Sequence, residues 1–167
     1  LTDLVNEVVE VATEAEVSET DSMVDLGALA EGVVGRYRRR TNQDFVLDID
    51  NPATVAGKAT RLERAVSNLI DNAAKWSPAQ STITVSVAGS RVAVADEGPG
   101  ISAEDEDRVF DRFYRSDEAR ATPGSGLGLS IVKQVAENHN GAVFVETAVN
   151  GGAVVGFELP SAFSADS

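Results

Sequence analysis

The chain has 167 residues, 43% of them hydrophobic, which suffices for one globular domain with a core and a short extension. Its formal net charge of −13 argues against nucleic acids and anionic membranes as partners, because both require a basic face. The lack of cysteine excludes a disulfide framework, a thiol nucleophile and a cysteine metal site. No run of apolar residues approaches the ~18 that a membrane span needs.

The first 22 residues are predicted to lie outside the main domain. Leu1, Leu4, Val8 and Val11 have the spacing of a helix with an apolar seam for a partner helix. An amphipathic helix packed on its own domain is the alternative, but residues 14–22 have the composition of a solvated linker. We therefore expect the tail of a dimerisation helix plus a linker at 1–22. A globular domain at 23–160 and a C-terminal tail at 161–167 would follow.

A helix is predicted directly after the linker. Ser22 and Asp25 have the spacing of a capping box, and apolar positions from Leu26 to Tyr37 follow at helical intervals. Arginines 38–40 end this helix. We interpret them as compensation of the helix dipole in preference to a binding patch.

The rest of the domain alternates between strands and helices. Apolar and polar side chains alternate over 45–50, and Asn51-Pro52 ends that strand. An apolar stripe makes residues 59–75 the most regular predicted helix. The other predicted elements are strands at 83–87, 91–96, 143–147 and 153–159, a short acidic helix at 102–110, a lid-like loop at 111–125, and a helix from Leu127 to Asn138 with Gly141 as its left-handed cap. This order predicts an α+β fold, a two-layer sandwich whose mixed, mostly antiparallel sheet carries helices on one face.

Two glycine-rich turns indicate a nucleotide site. Asp96 stands at the end of a predicted buried strand, and Gly98 and Gly100 follow it, which suits a carboxylate acceptor with close backbone approach above it. Residues 124–129 lead into a helix, whose N-terminal N–H groups and dipole suit phosphate. Each turn alone is weak evidence, since solvated turn residues and packing glycines are common. Together they predict a base at the first turn and phosphates at the second.

Polar residues on the best helix support the same site. Asn68, Asn72 and Lys75 flank the apolar stripe at i, i+4 and i+7. Asparagine is a mediocre helix former, and its amide oxygen is a hard, neutral ligand for Mg²⁺ that also contacts phosphates. Ordinary exposed polar residues are the alternative interpretation. His139 is the only histidine, and we expect it to pack or to interact with the helix dipole.

Four segments in a fixed order resemble the boxes of bacterial sensor histidine kinases. Residues 68–78 resemble the N box, 96–101 the G1 box, 110–115 the F box and 124–129 the G2 box. The resemblance extends from about Asp25 to Leu159. The amino-acid sequences of residues 75–78 and 113–116 are most similar to those of the MprB-type kinases of actinobacteria.

The resemblance implies the Bergerat ATP-binding fold and a role for each matching residue. Asp96 would accept a hydrogen bond from adenine N6, and Asn72, helped by Asn68, would bind Mg²⁺. Trp76 would form a wall on the base or ribose side. The remaining residues that it implies for ATP binding are the pocket residues Gly98, Gly100 and Ile101, the phosphate-neutralising Lys75, Arg115 and Arg120, and the lid residues Gly124, Ser125, Gly126, Leu127, Gly128 and Leu129; catalysis would rest on Asn68, Lys75 and Arg115.

The implied activity is that of a protein histidine kinase. The γ-phosphoryl of ATP would pass to a histidine on a dimerisation domain upstream in the full-length homodimer, for relay to a response regulator. The site would lie in the cytoplasmic part of a membrane-anchored sensor. No histidine of this chain has the context of a phosphoacceptor. The sequence departs from the family pattern at Lys58, where aspartate is usual, and at His139-Asn140-Gly141, where His-Gly-Gly is usual.

Two other functions compete with this one. An anti-sigma serine kinase shares the N and G1 boxes but lacks the F box. A non-catalytic ATP-sensing dimerisation module would not need Asn72, Lys75, Asp96 and the G2 glycines together. Related ATPases carry a glutamate as general base where Asn68 stands, and an amide cannot take a proton, so the sequence favours a kinase over a hydrolase.

Overall fold

The structure is a computed structural model that describes residues 21–78, 80–98, 100–101, 106, 109–111, 128–148 and 151–160. The predicted first helix, residues 112–125 of the lid-like loop, residues 112–115 of the F box and residues 124–127 of the G2 box lie outside these ranges. So do most of the acidic helix and the C-terminal tail.

The described residues form seven strands and three helices, in the order β1, α1, β2, β3, α2, β4, β5, α3, β6, β7. The strands are β1 (Ser22–Asp25), β2 (Asp44–Asp50), β3 (Thr54–Gly57), β4 (Thr82–Ala88), β5 (Arg91–Ala95), β6 (Ala142–Thr147) and β7 (Ala153–Glu158). The helices are α1 (Leu26–Arg40), α2 (Ala59–Trp76) and α3 (Gly128–Asn138).

The main sheet has five strands in the order β2-β4-β5-β7-β6. β2 and β4 run parallel, with Phe45 opposite Ile83, and the other neighbours are antiparallel. The parallel pair requires a crossover, which β3 and α2 provide. The predicted α+β fold with a mixed, mostly antiparallel sheet is confirmed.

One face of the sheet carries the core. In β4 and β5 every second residue is buried and its neighbours are partly exposed, so one face of these strands is covered. The apolar stripe of α2 is buried as the spacing predicts, at Leu62, Ala65, Val66, Leu69, Ile70 and Ala73. α2 contacts β4, β5, β7 and both other helices, and is therefore the central helix of the second layer.

The predicted capping box at Ser22 is wrong. Residues 22–25 form β1, which pairs antiparallel with β3, a strand that the sequence did not indicate. The cap of α1 is Asp25 itself, whose backbone is extended and whose Oδ1 accepts from the N–H groups of Gly27 at 2.9 Å and Ala28 at 3.2 Å. The helix therefore begins where the apolar periodicity predicts, with a different capping residue.

The predicted left-handed cap at Gly141 is also wrong. Asn140 takes that conformation, with φ of 64°. The N–H of Gly141 donates to the carbonyl of Ala136 and that of Asn140 to Glu137, which is a Schellman motif closing α3. Gly141 is needed for space instead, because a Cβ there would overlap the carbonyl oxygen of Glu158.

Candidate nucleotide site

Asp96 is a buried carboxylate at the end of β5. The residue is 3% exposed, and its Oδ1 accepts from the N–H groups of Gly98 at 2.9 Å and Ala153 at 3.1 Å. Its own N–H donates to the carbonyl of Ala153 at 2.9 Å. Among the described residues, none donates to its second oxygen, Oδ2. The carboxylate is thus held in one orientation with an acceptor available to a donor such as an exocyclic amine.

The glycines beside Asp96 allow the turn to lie against the β6–β7 hairpin. Gly100 has φ of 80°, and a Cβ there would come within 2.6 Å of the carbonyl oxygen of Gly151. A Cβ at Gly152 would overlap the carbonyl oxygen of Asp96. Ile101 is partly buried and packs against the core. The first predicted turn therefore has the close backbone packing that its glycines indicate.

The polar face of α2 contains an amide whose hydrogen-bonding capacity the described residues do not fill. Asn68 and Asn72 are partly buried and Lys75 is exposed. The Nδ2 of Asn68 is fully buried, and no described residue accepts a hydrogen bond from it. Among the described residues this buried donor has no acceptor, and such a group costs ~1–3 kcal/mol. The polar face of α2 therefore includes one buried amide group that the described residues leave unsatisfied.

The packing of α2 against α3 brings the predicted parts of the site on these helices to one end of the domain. At the opposite end, the N–H of Lys58, which precedes α2, donates to Nε2 of His139, which follows α3, at 3.0 Å. α2 begins at this corner and α3 ends there, and the two helices contact each other, so they are antiparallel and both extend from the corner toward the same end of the domain. At a rise of ~1.5 Å per residue, Asn68 and Gly128 lie ~15 and ~17 Å along their helices from it.

The first turn reaches the same end through Glu97. Its Oε1 accepts from the N–H of Thr82 at 2.9 Å, and Thr82 begins β4 a few residues after the C-terminus of α2. The turn at Asp96, the C-terminal half of α2 and the start of α3 therefore share one end of the domain. Gly128 and Leu129 are the first described residues of α3, and Leu129 packs against the core.

Several predicted site residues cannot be placed. Six of them lie outside the described residues: Arg115, Arg120, Gly124, Ser125, Gly126 and Leu127. The side chain of Trp76 also lies outside the described part of the chain. Conversely, the sequence did not indicate the roles of Glu97, Gly152 and Ala153. The Asn150-Gly151-Gly152 signal identified a hairpin but not its contact with Asp96, 57 residues away along the chain.

The donor set suits a phosphate-bound magnesium ion better than a carboxylate metal site. Within the described ranges, no cluster of three or more histidine, cysteine, aspartate or glutamate residues has metal-binding geometry. Mg²⁺ accepts a few protein oxygens together with phosphates and water, and the partly buried amides Asn68 and Asn72 fit that requirement. No helix in the described part of the chain has the length and apolar character to cross a bilayer.

Comparisons with known proteins point to one family. The model of the family described as histidine kinase-, DNA gyrase B- and HSP90-like ATPases matches residues 57–162. The signal transduction histidine-protein kinase/phosphatase MprB of Mycolicibacterium smegmatis is 44% identical over 158 residues, which are 91% of this chain and 32% of that protein. The MprB protein of Mycobacterium avium is 42% identical over 158 residues, 91% of this chain and 30% of that protein. The chain thus spans about a third of the length of these curated relatives.

Solved structures give the same result. The mycobacterial sensor histidine kinase MprB superposes with a TM-score of 0.77 at 38% identity, covering 84% of this chain and 98% of that one. Full-length ShkA in complex with AMPPNP has a TM-score of 0.77 at 27% identity, covering 96% of this chain and 36% of that one. The catalytic domain of the histidine kinase ThkA has a TM-score of 0.73 at 28% identity, covering 84% and 97%.

Proposed function

Because the chain belongs to the family of histidine kinase-, DNA gyrase B- and HSP90-like ATPases, we propose that it is the ATP-binding kinase domain of a two-component sensor histidine kinase. The reaction is transfer of the γ-phosphoryl of ATP to a histidine nitrogen on a dimerisation domain outside this chain, for relay to a response regulator. The catalytic domain spans 23–160, between a dimerisation-helix tail with its linker at 1–22 and a C-terminal tail at 161–167. The full-length protein is a homodimer, and this part of it is cytoplasmic and belongs to a membrane-anchored sensor.

The observation that carries the proposal is the environment of Asp96. A carboxylate that is 3% exposed is costly to bury unless its oxygens are hydrogen-bonded. Gly98 and Ala153 satisfy Oδ1, and the exocyclic amine of adenine would satisfy Oδ2. With adenine bound at this end of the domain, the triphosphate would lie toward α2 and the start of α3.

The polar face of α2 supports the placement of the triphosphate. We assign Asn72, helped by Asn68, as the Mg²⁺ ligand and Lys75 as a phosphate contact. The bound ion would neutralise charge on the phosphates, and the side chains of α2 would orient the chain of phosphates for transfer. Positioning and charge neutralisation supply most of the catalysis in phosphoryl transfer.

The residues at the site favour a kinase over a hydrolase. The side chain of Asn68 is an amide, which cannot remove a proton from water, so this position supplies no general base. Without such a base the bound ATP is preserved until a better nucleophile, the imidazole nitrogen of the acceptor histidine, reaches the γ-phosphoryl.

The test is a phosphoryl-transfer assay on the full-length chain with radiolabelled ATP, measuring acid-labile phosphate on the acceptor histidine. We expect Asn72→Asp to keep metal affinity but to lose transfer by on the order of 100-fold, the usual effect of removing one charge-positioning group. Asn42→Asp is the matched control, because Asn42 is exposed in the loop between α1 and β2. Transfer that is unchanged in Asn72→Asp would defeat the ligand assignment, and a wild type that forms no phosphohistidine would overturn the kinase proposal.

A further inference from the structure

The upstream chain enters the domain at a corner formed by β1, β3 and the start of α2. β1 pairs with β3 so that Ser22 lies opposite Gly57, and Lys58 follows Gly57 directly. The Nζ of Lys58 lies 2.5 Å from Oδ1 of Asp21, the residue immediately before β1. The hydrogen bond and the charge of Lys58 lower the pKa of Asp21, so this carboxyl group is ionised at neutral pH. One ion pair therefore holds the point at which the chain enters the domain.

Lys58 occupies a position where a lysine is unfavourable by itself. It is the N-cap residue of α2, and its side chain makes no capping hydrogen bond, since an ammonium group has no acceptor. A cation at the N-terminus of a helix also opposes the helix dipole. The carboxylate of Asp21 offsets that charge at the same place. A residue of the entering chain therefore compensates the charge of Lys58 at the start of α2.

The same lysine contacts α3 through its backbone. Its N–H donates to Nε2 of His139 at 3.0 Å, and Nδ1–H of that ring donates to the carbonyl of Val135 at 2.7 Å. Gly57 makes room for the ring, because a Cβ there would come within 2.5 Å of Cδ2 of His139. Lys58 thus joins three parts: the entering chain, the helix that carries Asn68 and Asn72, and the helix that begins at Gly128.

From these contacts we infer that Lys58 is a positioning residue, whose ion pair with Asp21 sets the direction of the upstream segment relative to the candidate nucleotide site. The inference rests on the proposed function, in which that upstream segment carries the acceptor histidine. The side chains of Lys58 and Asp21 are 28% and 60% exposed, and exposed ion pairs contribute little to stability. The effect of the pair is therefore on geometry, and it appears in the transfer rate more than in folding or in ATP affinity.

The experiment uses charge exchange in the full-length chain. We expect Lys58→Glu and Asp21→Lys each to lower the rate of histidine phosphorylation about fivefold, since an exposed ion pair that contributes up to ~1 kcal/mol shifts the orientation of the segment by no more than that. The KM for ATP is expected to stay within about twofold of wild type, because both residues lie at the start of α2, at the opposite end from the candidate nucleotide site. The double variant Asp21→Lys/Lys58→Glu and the conservative Lys58→Arg recover most of the wild-type rate.

A matched control separates this pair from surface charge in general. Arg36 and Glu63 form another exposed ion pair, at 3.8 Å between α1 and α2, away from the entry point. Arg36→Glu reverses a charge of the same kind and is expected to leave the transfer rate unchanged.

The possible outcomes distinguish a failure of this inference from a failure of the proposed function on which it rests. Wild-type rates in both single variants, or no recovery in the double variant, would overturn the positioning role while leaving the kinase proposal intact. A single-variant loss matched by Arg36→Glu would also overturn it, as a general charge effect. If the wild-type domain binds no ATP in calorimetry, the proposed function falls and this inference falls with it.

Discussion

Tyr37 joins two helices through its hydroxyl group. It lies in α1, and its OH donates a hydrogen bond to Oδ1 of Asp71 in α2 at 2.6 Å. The carbonyl oxygen of Ser67, also in α2, is a second and longer acceptor at 3.2 Å. Burial raises the pKa of Tyr37 well above its usual range, and the hydrogen bond and charge of Asp71 raise it further. Asp71 stands between Asn68 and Asn72 in the sequence, so this contact fixes the rotation of α2 that presents the polar face.

The Tyr37 contact predicts a pH-dependent stability. Below about pH 10 tyrosine is protonated in both the folded and the unfolded chain, and the contribution is fully present. Above that pH the unfolded chain loses the proton while the folded chain keeps it, so the free energy of unfolding falls by up to ~1.4 kcal/mol per pH unit. Urea unfolding of wild type and Tyr37→Phe at pH 8 to 11 measures this difference.

The variant has an expected result at each end of that range. At pH 8, Tyr37→Phe is less stable by ~1 kcal/mol, because it loses one hydrogen bond to an exposed carboxylate. Toward pH 11 the gap between the two proteins narrows, since phenylalanine does not ionise. A gap that stays constant or widens with pH would show that the contact with Asp71 does not hold the proton.

At the scale of elements, the start of α1 depends on one side chain. Asp25 accepts from two backbone N–H groups of the first turn. Asp25→Ala is expected to lower the free energy of unfolding by ~1 kcal/mol, the usual cost of losing an N-cap. Ser22→Ala is the matched control and is expected to stay within ~0.5 kcal/mol of wild type, because Ser22 is an exposed strand residue. Urea denaturation of both variants measures the two values, and a larger loss in Ser22→Ala would return the cap to the position that the sequence suggested.

The accuracy of the sequence-based prediction differed between elements for a physical reason. α2 has an apolar stripe over 18 residues, and periodicity over that length is unambiguous. β1 and β3 have four residues each and are stabilised mainly by pairing with one another, which local pattern does not reveal. The end of α3 illustrates the same limit. The sequence indicated a left-handed residue after this helix, but whether Asn140 or Gly141 takes that conformation depends on how closely β7 approaches Gly141.

At the scale of the whole molecule, the fold class followed from the order of the elements, whereas the strand order did not. The parallel pairing of β2 with β4 and the place of β7 between β5 and β6 are set by contacts between distant segments. The residues of the first turn were predictable from Asp96 and its glycines. Their support by Ala153 was not, because it comes from a hairpin at the other end of the chain.

The central claim is that the carboxylate of Asp96 accepts a hydrogen bond from the adenine base of a bound ATP. Calorimetric titration tests this claim most directly. ATP is titrated with and without Mg²⁺ into wild type, Asp96→Asn and the control Glu97→Gln. Asparagine keeps an oxygen for the N–H groups of Gly98 and Ala153 but replaces Oδ2 with a donor, and Glu97→Gln keeps an oxygen for Thr82.

We predict magnesium-dependent binding by wild type and by Glu97→Gln, with affinities within about twofold. For Asp96→Asn we predict a loss of at least about 100-fold, because the amine of adenine would then face another donor. Binding by Asp96→Asn that equals the control, or no binding by wild type, would contradict the account.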